Sequence, residues 1–217
     1  NFTSATDTNN TAVGYAAGVN LTTGIRNTLI GANAGDSLTD ADNNVAIGTN
    51  ALQTNQQGSQ NIAIGREALA SMNPSGAANT YNTAVGADAA LAVTTGVQNT
   101  LIGGLAGDAL TTGGNNIAVG YLALSTEDGN GRNVAVGTSA LQTQNTGSDV
   151  YNVGVGYFAG YAITTGANNK ILYLGTNDSG RILIDDSTID LPQDNQRLRI
   201  GAGNDLQLYH TGTANHI

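Results

Sequence analysis

Apolar and polar positions along this chain follow one short motif that returns nine times. Each copy has Asn, a β-branched residue, a mostly small residue, Val or Ile, Gly, two variable residues and Ala. The alternation within the motif has the period of a β-strand, and a fixed short repeat predicts a solenoid. The copies are spaced by 17, 17, 17, 21, 17, 17, 17 and 19 residues and begin at Asn10, Asn27, Asn44, Asn61, Asn82, Asn99, Asn116, Asn133 and Asn152.

When the copies are aligned, the β-branched residues form two columns with the mostly small column between them. Successive side chains of a strand point to opposite faces, so the β-branched columns share one face and the small column takes the other. We predict a short strand at each motif, because β-branched residues favour a pleated surface. The β-branched face is expected to line the interior of each coil, and the small face to contact another chain.

A glycine closes every predicted strand, where it supplies a positive φ or permits a close approach of two backbones. An invariant Ala column follows, and then Gly or Leu in eight of the nine copies, which predicts a second short strand. The fold class expected is therefore all-β, a parallel β-solenoid with coils of about 17 residues. The glycines are Gly14, Gly31, Gly48, Gly65, Gly86, Gly103, Gly120, Gly137 and Gly156.

The Asn that begins each motif has a predicted structural role. Asn tolerates left-handed backbone geometry, and its amide can bond its own turn. Identical amides one coil apart can also bond each other as a ladder. We expect a ladder of structural side chains here, in preference to nine separate binding sites.

A longer period of 72 residues overlies the short one, since Thr22–Gly31 returns as Thr94–Gly103. The extra residues near Met72–Gly76 recur, shortened, near Gln144–Ser148. Each 72-residue block is therefore predicted to carry one protruding loop. The candidate binding regions are the distal end and the loops Ser71–Tyr81, Thr126–Arg132 and Thr143–Tyr151.

Composition narrows the function further. The formal charge is −9, and the seven basic residues form no tract, so we expect no nucleic-acid partner. The chain has no Cys, no Trp and two Phe, which suits a narrow core without disulfides. No apolar run approaches the length of a membrane-spanning helix, so no membrane insertion is expected. The start at Asn1, without Met or a signal-like segment, indicates a piece of a longer protein.

Apolar columns on both strand faces favour association of several chains. Solenoid ends also expose unpaired backbone groups unless they are capped. We therefore expect a parallel homo-oligomer, most simply an intertwined or side-by-side homotrimer. The alternative is a monomeric solenoid.

Residues 43–51, with the sequence Asn-Asn-Val-Ala-Ile-Gly-Thr-Asn-Ala, resemble the repeat in head domains of trimeric autotransporter adhesins. The resemblance covers residues 10–168, although the coils here are longer. It implies a left-handed parallel β-roll with three chains in one rod.

The C-terminal part resembles a different family. Residues 198–212 are similar to a module common in tail-fibre and other structural proteins of marine bacteriophages, where the module continues further. The organisation expected is an N-terminal flank at 1–9, a solenoid at 10–168 and a truncated β-rich fibre module at 169–217. Together the two resemblances imply a virion tail-fibre shaft or receptor-binding region that meets a host glycan or protein. The alternative is a cell-surface adhesin or extracellular filament of a bacterium.

Catalysis and cofactors are not expected. A polysaccharide-cleaving tailspike would need paired carboxylates in a groove with aromatic platforms, and residues 10–168 hold two Glu and no Trp. The Asp residues near position 40 lack the glycine signature of calcium-binding β-rolls, and Thr-Thr-Gly occurs too rarely for an ice-binding array. Plain polar roles are also favoured over metal or catalytic roles for Asp185, Asp186, Asp190, Asp194, His210 and His216.

Overall fold

The computed structural model describes residues 8–144, 151–161 and 172–174. The chain divides into two compact units, Asn1–Arg181 and Ile182–Ile217, and the second lies outside the described residues. Regular structure within the described residues is entirely β-strand. The strands are β1 (Thr11–Val13), β2 (Thr28–Ile30), β3 (Val45–Ile47), β4 (Gly58–Ser59), β5 (Ile62–Ile64), β6 (Ala78–Asn79), β7 (Thr83–Val85), β8 (Thr100–Ile102), β9 (Ile117–Val119), β10 (Val134–Val136), β11 (Val153–Val155) and β12 (Leu172–Leu174).

Ten of these strands form one parallel sheet in the order β1-β2-β3-β5-β7-β8-β9-β10-β11-β12. The eight pairs among the nine motif strands join equivalent motif residues, and the 21-residue spacing keeps this register because Ile62 pairs with Thr83. The predicted parallel β-solenoid is thus confirmed, with one motif strand per coil. Strand spacing of about 4.8 Å gives the ten-strand stack a length of about 43 Å. Below, coils 1 to 9 are numbered from their motif Asn.

The strand faces are the reverse of the sequence-based prediction. The small column lines the interior, where its members from β2 to β10 are fully buried. The β-branched columns face outward, and Val13, Ile30, Ile62, Ile102 and Ile117 are 37–58% exposed. The prediction was wrong because the interior of a coil is narrow and is already filled by large side chains from other columns, such as Leu38 and Leu110, so most coils have room only for Ala on the inward face of the strand. The small column cannot therefore be a contact with another chain.

Core volume is shared between the small column and the column that follows the invariant Ala. Coils with a large side chain in the small column, such as Leu29 and Leu101, have Gly in the second column. A Cβ placed on Gly35 or Gly107 would lie 2.9 Å from a methyl carbon of that Leu. Coils 3, 4, 7 and 8 have Ala in the small column and fill the same space with a fully buried Leu, namely Leu52, Leu69, Leu124 and Leu141. These four coils and the two with Leu29 and Leu101 therefore each pack one large side chain from either column, whereas coils 1, 5 and 9 have only Ala or Gly in both columns.

The segment after each strand is a series of turns, so the predicted second strand is wrong. Ala17 N–H donates to Gly14 O at 3.5 Å and Val19 N–H to Ala16 O at 3.3 Å. The third residue of each turn has a positive φ, 54° at Ala16 and 59° at Gly18, as a type II turn requires. Hydrogen bonds to the next coil, such as Gly18 N–H to Ala34 O at 3.0 Å, align these turns without strand geometry.

The strand-ending glycines have both properties that the sequence predicted. Their φ lies between 126° and 141°, a region open almost only to Gly. From Gly14 to Gly137, an added Cβ would lie 2.3–2.6 Å from the backbone of the glycine in the next coil. Along the glycine column successive coils therefore approach too closely for any side chain.

The four extra residues of coil 4 are absorbed without disturbing the main sheet. The loop Ser71–Tyr81 carries β6, which pairs with β4 in a separate two-stranded parallel sheet. Ser75 and Ala77–Asn79 are exposed, as expected for a protruding loop. The segment Thr126–Arg132 does not protrude in the same way, because it completes an ordinary 17-residue coil with Glu127 and Asn130 buried.

Two glycine substitutions separate the φ requirement from the close approach. Gly103→Ala places a Cβ 2.4 Å from Gly120 O at a φ of 135°, whereas Gly76→Ala meets nothing within 4 Å at a φ of 143°. Gly76→Ala should lower the free energy of unfolding by about 1–3 kcal/mol through backbone strain alone. Gly103→Ala should cost clearly more in chemical denaturation, because the coils must also move apart. Equal losses in the two variants would show that the close approach is not limiting.

Candidate functional site

The nine motif Asn residues form the ladder that the sequence predicted. Each of the last eight donates its backbone N–H to Oδ1 of the Asn one coil earlier, at 2.7–3.1 Å. Those from Asn27 onward are at most 1% exposed. Side chain meets backbone at every step, while amide-to-amide bonds such as Asn99 Nδ2 to Asn82 Oδ1 at 3.1 Å occur only at some.

In coils 1, 2, 3, 5, 6 and 7 the side-chain amide of the ladder residue also ties the coil to itself. Asn27 Nδ2 donates to Ala41 O at 2.8 Å, and Asn99 Nδ2 to Gly113 O at 2.9 Å, 14 residues ahead in both cases. One side chain thus satisfies a donor of the next coil and a carbonyl across its own coil. A buried unpaired polar group is costly, so the residue type at this position is strongly constrained.

In coils 7 to 9 a buried polar chain replaces part of the apolar core. Glu127 and Gln144 occupy the interior column that holds Leu38 and Leu110 in other coils, and both are fully buried. Gln144 Nε2 donates to Glu127 Oε2 at 3.1 Å, and Asn152 Nδ2 donates to Gln144 Oε1 at 2.8 Å. Glu127 Oε1 accepts from the Asn130 N–H at 3.0 Å. A carboxylate can only accept, so it sets the direction of this chain toward the ladder.

Burial raises the pKa of Glu127 above its ordinary value of 4.5, and the hydrogen bonds from Gln144 and Asn130 oppose this shift only in part. Only the position of Glu127 in the column that holds Leu38 and Leu110 could have indicated from the sequence that its side chain is buried. Burial likewise raises the pKa of Asp108, against a hydrogen bond from Ser125. Asp108 lies on the turn of coil 6. On the corresponding turns of coils 4 and 5, Arg66 forms ion pairs with Asp88 and, at 3.1 Å, with Glu67.

The outward β-branched columns form a distinctive surface along the sheet, which we call the β-branched stripe. It comprises the first and third residues of the nine motif strands, β1 to β3, β5 and β7 to β11, and none of these eighteen residues is charged. Fourteen are Val or Ile and the others are Thr. A continuous exposed apolar surface of this kind marks an interaction site.

A polar rim borders the stripe, since the residue before each ladder Asn is exposed from Asn9 to Tyr151. These residues share a positive φ of 51–65° and are mostly Asn, Gln, Arg or Tyr. Arg26 Nε donates to Asn43 Oδ1 at 2.8 Å, and the Arg132 guanidinium lies 5.4 Å from the centre of the Tyr151 ring. An apolar strip with a polar rim has the composition of a protein interface.

The other candidates from the sequence have structural roles or lie outside the described residues. Thr22, Thr23 and Gly24 direct their N–H groups at Thr39 O, at 2.9–3.2 Å, and so join two coils. Asp42 Oδ1 accepts from Ile25 N–H at 2.8 Å, and no cluster of acidic or imidazole groups in the described residues could hold a metal ion. The candidates Asp185, Asp186, Asp190, Asp194, His210 and His216 lie outside the described residues, as do 145–150 of the third loop.

Neither a membrane-spanning helix nor a known relative indicates what this chain does. Among the described residues, no helix is long and apolar enough to cross a bilayer. Comparison with protein-family models, curated proteins and solved structures finds no match to the chain. Any functional assignment therefore depends on the chain's own surfaces.

Removing one ladder side chain should destabilise the fold. Asn99→Ala leaves Asn116 N–H and Gly113 O without their partners at 2.9 Å, both in the interior. The free energy of unfolding should fall by roughly 2–5 kcal/mol in denaturant titration, because each buried orphan costs about 1–3 kcal/mol. Asn73→Ala, at an exposed position, should change it by less than about 0.5 kcal/mol. Similar losses in both variants would contradict the ladder's role.

The buried carboxyl predicts a pH effect. With the pKa of Glu127 raised in the folded state, its stabilising contribution is complete below 4.5 and is lost as pH rises through the folded pKa. Glu127→Gln removes this loss, so the variant's stability relative to the parent should increase from about pH 4 to pH 8 in denaturant titrations. Gln53→Asn alters no titratable group and should run parallel to the parent. A parallel curve for Glu127→Gln would contradict the burial argument.

Proposed function

We propose that this chain is a structural fibre and adhesion protein, in the first place a bacteriophage tail-fibre shaft or receptor-binding region that projects from the virion toward the host surface. The observation that carries the proposal is the unbroken stack of ten parallel strands with an uncharged apolar stripe along it. A stack of this kind can extend over a long distance, and it presents the same groups at every coil. The tail-fibre resemblance of residues 198–212 supports the virion assignment.

We further propose that the stripe joins copies of this chain in a parallel homotrimer. A second copy has the same rise per coil, so β-branched residues can meet like residues at every level, which a partner with another period cannot offer. A stripe of nine strands, about 38 Å long and roughly 13 Å wide, about two side-chain widths, has an area of about 500 Å² per copy. Two such faces total about 1,000 Å², near the lower limit for a specific interface.

Several finer features belong to the same proposal. The coil is left-handed, as the resemblance to adhesin heads implies, and no catalytic step takes part in the function. A bacterial surface adhesin or extracellular filament is the second candidate, favoured by the same repeat. A polysaccharide-cleaving tailspike has less support, because residues 10–168 hold two Glu and no Trp. An ice-binding solenoid has less support, because the Thr-Thr-Gly segments at 22–24 and 94–96 join neighbouring coils through hydrogen bonds.

Charge placed on the stripe should dissociate the assembly. The parent chain should have three times its 21.9 kDa mass in light scattering, and the double variant Ile102→Lys/Ile117→Lys should be monomeric. Both side chains are about 40% exposed, so burial against another copy would strand two unpaired charges. Thr95→Lys/Thr112→Lys adds the same charge at exposed positions off the stripe and should stay trimeric. A monomeric parent would contradict the proposal.

The location of the protein separates the two candidate functions. An antibody raised against the chain should label projecting fibres on virions in electron micrographs, and should slow adsorption to host cells. Labelling of the bacterial surface without virion labelling would favour the adhesin alternative. Labelling of neither would reject both assignments.

A further inference from the structure

Coils 7 to 9 carry an exposed group of aromatic side chains that the ladder and the stripe do not use. We call Tyr121, Tyr157, Phe158 and Tyr161 the aromatic patch. The Tyr157 and Phe158 ring centres lie 4.4 Å apart at 72°, and those of Phe158 and Tyr161 lie 4.9 Å apart at 48°. Aromatic residues are scarce in this chain, with eight Tyr and two Phe in 217 residues, so the grouping is distinctive.

The central ring is held in place at a conformational cost. Phe158 has a φ of 55°, in the left-handed region where a bulky side chain is a rare outlier. Its N–H donates to Thr138 O at 2.9 Å, which fixes the turn, and its ring is half-buried between the two tyrosines. The same positive φ recurs at this turn position in every coil, so it belongs to the fold, and the two ring contacts of Phe158 are what orient the aromatic patch.

Two tyrosines of the patch lie in one column of the turns, at a spacing that suits an extended ligand. Tyr121 and Tyr157 each follow a strand-ending glycine, two coils apart, and are 53% and 51% exposed. Two coil rises separate them by about 9.6 Å. Coil 8 lies between them and contributes the half-buried side chains of Thr138 and Gln142, which offer a hydroxyl and an amide.

The patch is uncharged, in contrast to the same turns of coils 4 to 6. There Arg66, Glu67, Asp88 and Asp108 occupy the positions that Tyr, Phe, Thr and Gln occupy in coils 7 to 9. Flat aromatic faces with hydroxyl and amide groups between them suit a ligand with apolar C–H faces and hydroxyl edges. They offer nothing to a charged ligand, and the patch lies on the turns, away from the β-branched stripe.

We propose that the aromatic patch binds an uncharged oligosaccharide, with sugar rings stacked on Tyr121 and Tyr157 and hydroxyls bonded to Thr138 and Gln142. This inference rests on the proposed adhesion function and names its ligand class. Phe158 acts as a positioning residue, because it contacts the rings of Tyr157 and Tyr161.

The test is titration of the full chain with gluco-, manno- and galacto-hexasaccharides, with an alginate hexasaccharide as acidic comparison. At least one neutral sugar should bind, and Tyr121→Ala and Tyr157→Ala should each weaken it about tenfold or more, as for truncated aromatic anchors. Tyr15→Ala is the matched control, since Tyr15 follows Gly14 in the same column and is 81% exposed. It should leave the affinity unchanged.

Three results would overturn the proposal: no neutral hexasaccharide binds, the alginate binds better, or Tyr15→Ala weakens binding as much as Tyr157→Ala. Circular dichroism and light scattering check that the variants keep the parent fold and mass. The outcome is separable from that of the adhesion function. Adsorption to cells that is insensitive to Tyr157→Ala would reject the patch alone, whereas sugar binding without any labelling of virions or cell surfaces would reject the adhesion function alone.

Discussion

The in-register stacking of one coil on the next is the constraint on which the structure depends. Strands of three residues cannot stand alone, and their hydrogen bonds are made almost entirely to neighbouring coils. The glycine column brings the backbones together, and the Asn ladder satisfies the buried N–H beside every strand. A coil out of register would lose both at once.

This stacking also explains how the chain tolerates so much unusual backbone. Three positions of most coils have φ near +55°, and these include buried leucines such as Leu69 and Leu124. An isolated turn would avoid this conformation for Leu. Here each turn is hydrogen-bonded to the turn of the next coil, for example Leu69 N–H to Ala89 O at 3.1 Å, so the stack over-determines its geometry.

Much of the architecture could be predicted from the sequence, because the spacing of equal residues is itself the register. The strands, the glycine turns and the Asn ladder followed from aligned columns. The direction of the faces did not, since β-branched residues favour a strand whichever way they point. In the sequence, the coils that have Leu29 or Leu101 in the small column have Gly35 or Gly107 in the second column. This complementary choice of sizes could have placed the small column inside.

The tenth strand, Leu172–Leu174, lacks the leading Asn, and Gly175 was its only signal. The aromatic patch depends on turn geometry that the sequence pattern described only as a strand.

The stacking of equivalent coils produces the β-branched stripe, which we propose joins sister chains, and local changes on the turns produce the aromatic patch, which we propose binds a ligand. Hydrogen exchange of the folded chain with ¹⁵N-labelled Asn tests this stacking most directly. The backbone amides of the ladder residues Asn27 to Asn152 should exchange slowly and with similar free energies, close to that of global unfolding. Exchange of these amides at the rate of an unfolded peptide, or protection at only a few scattered levels, would contradict the account.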